Sequence, residues 1–245
     1  MGSAMTVLCI GGLDPLGRAG LSVDRSACAA MGVQAATVCT ALTAQNDQDC
    51  QVETVSSAFF KTQLEMVSRQ LDLRVVKVGW IADEEQLKAL LDWLPESAVL
   101  VVDPLLATSS GVRVYRDDPR GAGYMEYLQR ADLVLPNWME ASAILGAPIE
   151  DASEAASALR MIGIKRLILK GGHSGRDPID DLFIDSDGGM RIFRHARCSG
   201  QHRGTGCRLA SAVAAALSQG ASFERAASVG IDWLVAQISA AAAAQ

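Results

Sequence analysis

The chain has no window of roughly 18 consecutive apolar residues, so no membrane span is expected. No charged segment leads into an apolar one at the N-terminus, so no secretion signal is visible. Basic runs are missing too: 22 Lys+Arg stand against 28 Asp+Glu, a net charge of −6. That balance argues against nucleic acid and anionic membrane surfaces as partners. It leaves room for a small phosphorylated substrate held by local positive groups. The six cysteines, Cys9, Cys28, Cys39, Cys50, Cys198 and Cys207, lack Cys-x-x-Cys or Cys/His zinc spacing. Reduced thiols in a cytoplasmic protein are the simplest account. Histidine is scarce and scattered (His173, His195, His202), and at least two of these are expected at the surface. There is no internal repeat, linker or composition shift. One domain over residues 1–245 is therefore expected, with residues 1–4 ahead of Met5 read as an added remnant.

What the chain does have is Gly200-Gln201-His202-Arg203-Gly204-Thr205-Gly206-Cys207-Arg208 ahead of an Ala-rich apolar run. Gly204 and Gly206 let the backbone turn tightly and bring its N–H groups close to a ligand. The helix that follows adds unpaired N–H groups and the positive end of its dipole. Together they read as an anion hole, with phosphate as the anion. Cys207 falls in the first helical turn, where a thiol pKa is expected to drop. The simpler account is a common loop-to-helix junction with a small core cysteine.

Short apolar runs alternate with helical patterns along the chain. Strands are expected at 6–10, 33–41, 75–78, 98–102, 133–135 and 166–169. A hairpin is expected from 181–184 and 190–193 around Asp187-Gly188-Gly189. Helices are expected at 21–31, 58–71, 83–94, 123–130, from 137 through Glu140, 152–162, 205–218 and 223–236. Asp83 with Gln86 has capping-box spacing. The polar stretch 42–49 is expected to be exposed. The alternation predicts an α/β fold with a mostly parallel central sheet and helices on both faces.

Ligands of open α/β sheets bind beyond the carboxyl ends of the strands. Those ends carry Gly11-Gly12 with Asp14, Gln45-Asn46, Gly79-Trp80, Asp103, Asn137 with Glu140, and Lys170-Gly171-Gly172. A carboxylate at a buried strand end needs a partner, and Mg²⁺ or a basic side chain would supply one for Asp103. Each residue also has a plainer role. Asp14 can start a turn, Asp24 can be solvated, Asn137 can be an N-cap, Lys170 can pair at the surface and Trp80 can be core.

With these segments placed, the sequence resembles the hydroxymethylpyrimidine/phosphomethylpyrimidine kinases of thiamine biosynthesis, in the ribokinase superfamily. Residues 12–20, Thr40-Ala41-Leu42-Thr43-Ala44-Gln45-Asn46, Lys77-Val78-Gly79-Trp80, Asp103-Pro104 with Ser110-Gly111, and Pro136-Asn137-Trp138-Met139-Glu140-Ala141 follow the family's motifs in order. So do Lys170-Gly171-Gly172-His173 and Gly204-Thr205-Gly206-Cys207. The resemblance implies a ribokinase-like fold and a homodimer. It implies ATP as co-substrate, Mg²⁺ as cofactor, and two successive phosphorylations of 4-amino-5-hydroxymethyl-2-methylpyrimidine. By resemblance, Gly12, Asp24, Gln45, Trp80 and Leu106 contact the pyrimidine. Asp103, Asn137, Glu140, Lys170 and Gly172 lie on the nucleotide side, with Asp103 and Glu140 at the metal. Gly204, Thr205 and Gly206 form the anion hole, and Cys207 stands where the wider superfamily has an aspartate base.

The chain departs from the family at Leu16, Arg18, Ser22-Val23, Trp80, Ser109, His202-Arg203 and Arg208. Arg18 and Arg203 could hold a substrate phosphate bidentately and favour the second transfer, or pair with surface carboxylates. The rival readings are a pyridoxal or pyridoxine kinase and a catalytically silent ligand-binding protein on the same fold. The full Thr-Ala-Leu-Thr-Ala-Gln-Asn stretch favours the pyrimidine. Residues 45–51 and 109–120 are the expected closing loops.

Overall fold

The computed structural model describes residues 5–45, 50–107, 112–173, 177–197 and 203–243. In chain order the elements are β1 (Thr6–Leu13), α1 (Gly20–Ala30), β2 (Gln34–Gln45), β3 (Cys50–Thr54), α2 (Ser57–Ser68), β4 (Val75–Val78), α3 (Glu84–Trp93), β5 (Val99–Val102) and α4 (Ala122–Arg130). They continue as β6 (Leu133–Val134), α5 (Trp138–Leu145), α6 (Ala152–Met161), β7 (Leu167–Leu169), β8 (Ile179–Ile184), β9 (Met190–His195), α7 (Thr205–Ser218) and α8 (Phe223–Ala243). The strands form a nine-stranded sheet in the order β3-β2-β1-β4-β5-β6-β7-β8-β9. The centre, β2 to β7, is parallel, while β3, β8 and β9 pair antiparallel at the two ends.

Strand alternation sorts the core into two layers. Leu8, Ile10, Val76, Val78, Leu100 and Val102 face α2, α3, α4, α5 and α6. Val7, Cys9, Val75 and Val101 face α1, α7 and α8. Strands buried on both sides explain the unbroken apolar runs. The pattern also places Lys77 on the α1/α7 side, since its neighbours Val76 and Val78 face the other layer. Asp103 follows Val102 and falls on that same side.

Two expectations change. The strand expected over 33–41 continues to Gln45 and pairs with β3, a strand that polar residues concealed. An edge hairpin can keep polar residues because one of its faces meets water. Residues 46–49 lie outside the described part. Gln86 makes half a capping box: its N–H donates to Asp83, the N-cap of α3. Its buried side chain instead accepts from the Ala82 N–H and donates to the Thr40 and Val55 carbonyls. That ties α3 to the place where β1 and β2 slip register, between Gly11/Gly12, leaving Thr40 as the extra residue.

Candidate active site

Residues 200–202 of the glycine loop lie outside the described part, and the helix expected from Thr205 starts at that residue. Gly204 is the N-cap of α7 with φ +71°, the left-handed region that glycine tolerates. A Cβ there would collide with the Arg18 carbonyl oxygen, so the loop at 14–19 lies directly against Gly204. Asp14 organises this loop. Its carboxylate accepts from the Leu16, Arg18 and Ala19 N–H groups at 3.1, 2.9 and 3.0 Å. The turn-starting role therefore holds for Asp14.

Cys207 is buried in the first turn of α7 and takes the Gly20 N–H at its sulfur. Gly20 opens α1, and Asp24 one turn on meets Ser211, one turn past Cys207. The thiol thus sits on the first turn of α7 and meets the N-terminus of α1. Even so, burial pushes the Cys207 pKa up to about 11, with the Lys77 ammonium opposing and Asp24 and Asp103 adding to the rise. The expected drop in thiol pKa is therefore corrected. Helix ends favour a thiolate, but desolvation of the charged form outweighs them here.

Beneath the thiol lies an ion pair that no solvent reaches. Lys77 Nζ is 2.8 Å from Asp24 Oδ1, and each side chain is 1% exposed. Ser211 Oγ donates to the same oxygen at 2.8 Å. Burial alone would neutralise Lys77, but the Asp24 carboxylate beside it holds the ammonium well above its ordinary range. Burial also pushes the Asp24 carboxyl up, against the pull of Lys77 and Ser211. Asp24 Oδ2 is buried with no hydrogen-bond partner among the described atoms, and it lies near Gly11. The solvated role for Asp24 is overturned, because its position on α1 faces the sheet.

A second cluster sits on the other side of the α7 N-terminus. Lys170 Nζ is 2.6 Å from Asp103 Oδ1 and 3.6 Å from Glu140 Oε2. A Cβ on Gly206 would stand 3.2 Å from both Asp103 Oδ2 and Lys170 Nζ, so the glycine lets the loop touch the cluster. Asn137 and Glu140 form a reciprocal capping box on α5, with distances of 2.9 and 2.7 Å. The N-cap role of Asn137 is thus realised. Burial pushes the Glu140 pKa up to about 7, with Lys170 opposing and Asp103 reinforcing it. Two carboxylates share one ammonium. Their surplus negative charge and oxygen donors fit a hard cation such as Mg²⁺, which uses one or two carboxylates and keeps its waters. No group of three or more acidic, His or Cys ligands occurs among the described residues.

The remaining expected residues line the same edge. The Trp80 indole lies on Gly12, where a Cβ would come within 2.6 Å of it. Its Nε1 donates to the Val114 carbonyl at 3.1 Å, and its own carbonyl accepts from Thr40 Oγ1 at 2.7 Å. Trp80 packs with Ala41, Val114 and Leu105 and is buried, so its plainer role as core holds. The Leu106 carbonyl accepts from the Val114 N–H, which ties the residues after β5 to the segment that packs on Trp80. Gln45 stands three residues past the Leu42–Leu13 pairing, about 10 Å beyond it at strand rise. Gly172 is exposed with open space around it, whereas a Cβ on Gly171 would collide with the Asp180 carbonyl. Asn46, Ser109, Ser110, Gly111, Cys198 and His202 lie outside the described residues, as do parts of both expected closing loops.

Sequence reasoning assigned no role to Lys77 or Ser211. The signal was present: Val75-Val76-Lys77-Val78 is a lysine inside a strand buried on both faces, which demands a partner.

A family model described as phosphomethylpyrimidine kinase matches residues 14–245. The hydroxymethylpyrimidine/phosphomethylpyrimidine kinase of Rhizobium meliloti (strain 1021) is 35% identical over 240 residues, 96% of this chain and 90% of that protein. The crystal structure of phosphomethylpyrimidine kinase from Clostridium difficile 630 superimposes with a TM-score of 0.77 at 26% identity, covering 95% of this chain and 99% of that one. Pyridoxal kinase from Staphylococcus aureus in complex with ADP gives a TM-score of 0.85 at 24% identity, over 97% and 89% of the two chains. This last likeness speaks to the fold alone. With its motifs in family order, its ribokinase-like sheet and a family match over nearly its whole length, the chain belongs to the phosphomethylpyrimidine kinases, a family of phosphotransferases.

Proposed function

We propose that the protein transfers the γ-phosphoryl group of ATP to the hydroxymethyl oxygen of 4-amino-5-hydroxymethyl-2-methylpyrimidine, and then a second group to the resulting phosphate. The observation that carries this reading is the junction at α7. The first turn of α7 carries a thiol and touches, through Gly206, a lysine–carboxylate cluster that lies beyond the carboxyl ends of β5, β6 and β7. Phosphoryl transfer asks chiefly for positioning and for charge neutralisation on the moving group.

In this reading the N–H groups of residues 204–207 receive the phosphates, with Lys170 beside them. Asp103 and Glu140 would hold Mg²⁺, which when bound neutralises charge on the phosphates. Asn137 fixes Glu140 through the capping box. Gly172 has open space for a nucleotide to approach its backbone. Asp24 Oδ2 is the acceptor left over for the amino group of the pyrimidine. Gly12, Trp80 and Leu106 form the wall for the ring, and Gln45 reaches over it from the end of β2.

Cys207 takes the hydroxyl proton as a thiolate while the substrate oxygen bonds to the γ-phosphorus and ADP departs. The substrate-free thiol has its pKa pushed up to about 11, so only a minor ionised fraction does this at neutral pH. Turnover is therefore expected to rise through the alkaline range. The homodimer belongs to the same reading and is tested by sedimentation.

The deciding experiment incubates the protein with Mg·ATP and the hydroxymethylpyrimidine, with pyridoxal in parallel, and follows products by mass. A mono- and then a diphosphorylated pyrimidine supports the proposal. Transfer to pyridoxal alone overturns it in favour of a vitamin B6 kinase, and no transfer to either favours the binding-protein reading.

A further inference from the structure

The turn that follows Lys170 is gripped from outside the site. On its near side the Lys170 N–H donates to the Pro136 carbonyl at 2.9 Å. On its far side two contacts reach it, one from the β8–β9 hairpin and one from the residues just past β9, and a third contact lies within the hairpin. The Gly171 N–H donates to Asp181 Oδ1 at 2.7 Å. Asp181 Oδ2 meets His195 Nε2 at 3.2 Å. Arg197 Nη1 donates to the Gly172 carbonyl at 2.9 Å.

The hairpin register explains how these groups meet. Ile179 pairs with His195 and Asp181 with Phe193, so Asp181 and His195 are diagonal neighbours on one face. Asp181 is buried. Glycine is required at 171 because any Cβ would strike the Asp180 carbonyl, so the turn has one way to pack. Asp181, His195 and Arg197 have no part in the transfer chemistry proposed above.

We propose that Asp181 and His195, with Arg197, are positioning residues that hold the Lys170–Gly172 turn in the shape that binds nucleotide. This rests on the reading that Lys170 and Gly172 lie on the nucleotide side. A charged imidazole fixes the Asp181 carboxylate by a charge-assisted bond, and a neutral one does so more weakly. The groups facing His195 are Asp181, the more distant Asp180, which is held by Arg194 at 2.7 Å, and the Ala196 carbonyl at Nδ1. The Asp181 contact raises the His195 pKa from its usual value, against burial. The grip is therefore full at low pH and slackens as pH rises through that raised value.

The test compares Asp181→Ala, Asp181→Asn, His195→Gln and, as a marker of the nucleotide side, Lys170→Met. Steady-state kinetics with each substrate is paired with calorimetric binding of a non-hydrolysable ATP analogue from pH 6 to 9. Asp181→Ala is expected to raise the KM for ATP about tenfold, or about 1.4 kcal/mol, with the KM for the pyrimidine unchanged. Asp181→Asn keeps an acceptor for the Gly171 N–H and recovers most of that loss. The wild-type KM for ATP rises with pH, and His195→Gln flattens the profile. Should Asp181→Ala fail to fold, Asp181→Asn and His195→Gln carry the test. Unchanged ATP affinity in the hairpin variants, while Lys170→Met weakens it, overturns this inference and spares the nucleotide reading. Unchanged ATP affinity in Lys170→Met overturns both.

Discussion

Two lysines flank the first turn of α7, Lys77 buried and Lys170 half-buried. Lys77 faces one carboxylate, at 2.8 Å, in a pocket closed to solvent. Lys170 is 12% exposed and faces two carboxylates. The first cluster is balanced in charge: Lys77 and Ser211 share Asp24 Oδ1, which leaves Oδ2 as its one unused acceptor among the described atoms. The second sets two carboxylates against one ammonium, and burial pushes the Glu140 pKa up to about 7. Burial supplies the difference. Where no water enters, charges must cancel, and where a ligand enters, the protein can leave the cancellation to that ligand.

The largest effect should separate the clusters by function. Cys207→Ala is expected to lower kcat by about 10²–10⁴-fold, the usual range for a lost proton acceptor, in rapid-quench assays. A fall below threefold would place the thiol outside the chemistry. Next, Lys77→Met strips the buried Asp24 carboxyl of its partner, at a cost of about 3–5 kcal/mol in urea unfolding. The double variant Lys77→Met/Asp24→Leu should recover most of it. A double variant as unstable as the single one would break the picture of a balanced pair.

A finer comparison uses the charges within that pair. Lys77 lowers the Cys207 pKa and Asp24 raises it. Alkylation of Cys207, read by peptide mass, should slow in Lys77→Met and quicken in Asp24→Asn at pH 9. Shifts in the same direction would mean that both variants act through packing alone. The smallest effect belongs to Glu140. Its carboxyl is raised from 4.5 to about 7 on folding, so the folded state holds the proton more tightly than the unfolded chain. Its contribution to stability is full below about pH 4.5 and fades as pH rises to about 7. Unliganded wild type should show that decline, and Glu140→Gln should flatten it. An equal slope in both would remove Glu140 as its source.

Much of this was legible in the chain. Apolar runs such as Val99–Val102 announced strands buried on both faces, and Gly204-Thr205-Gly206 announced a helix N-terminus. Capping spacing at Asn137/Glu140 gave α5 its start. Strand β3 stayed hidden because an edge hairpin obeys no strong apolar pattern. The Asp181–His195 contact stayed hidden because its two residues are joined only by the hairpin's register.

By itself, the sequence determined the alternation of strands and helices, the glycine positions and the identity of the residues at the strand ends. These are local properties: periodicity, capping and backbone freedom act over a few residues. Tertiary structure alone decided which charges became partners. Lys77 reaches Asp24 across 53 residues, Lys170 reaches Asp103 across 67, and Ser211 reaches Asp24 across 187. It also decided that the Cys207 pKa would rise. The helix ends that favour a thiolate can be read from the chain, whereas the desolvation that outweighs them exists only once the two layers close over the sheet.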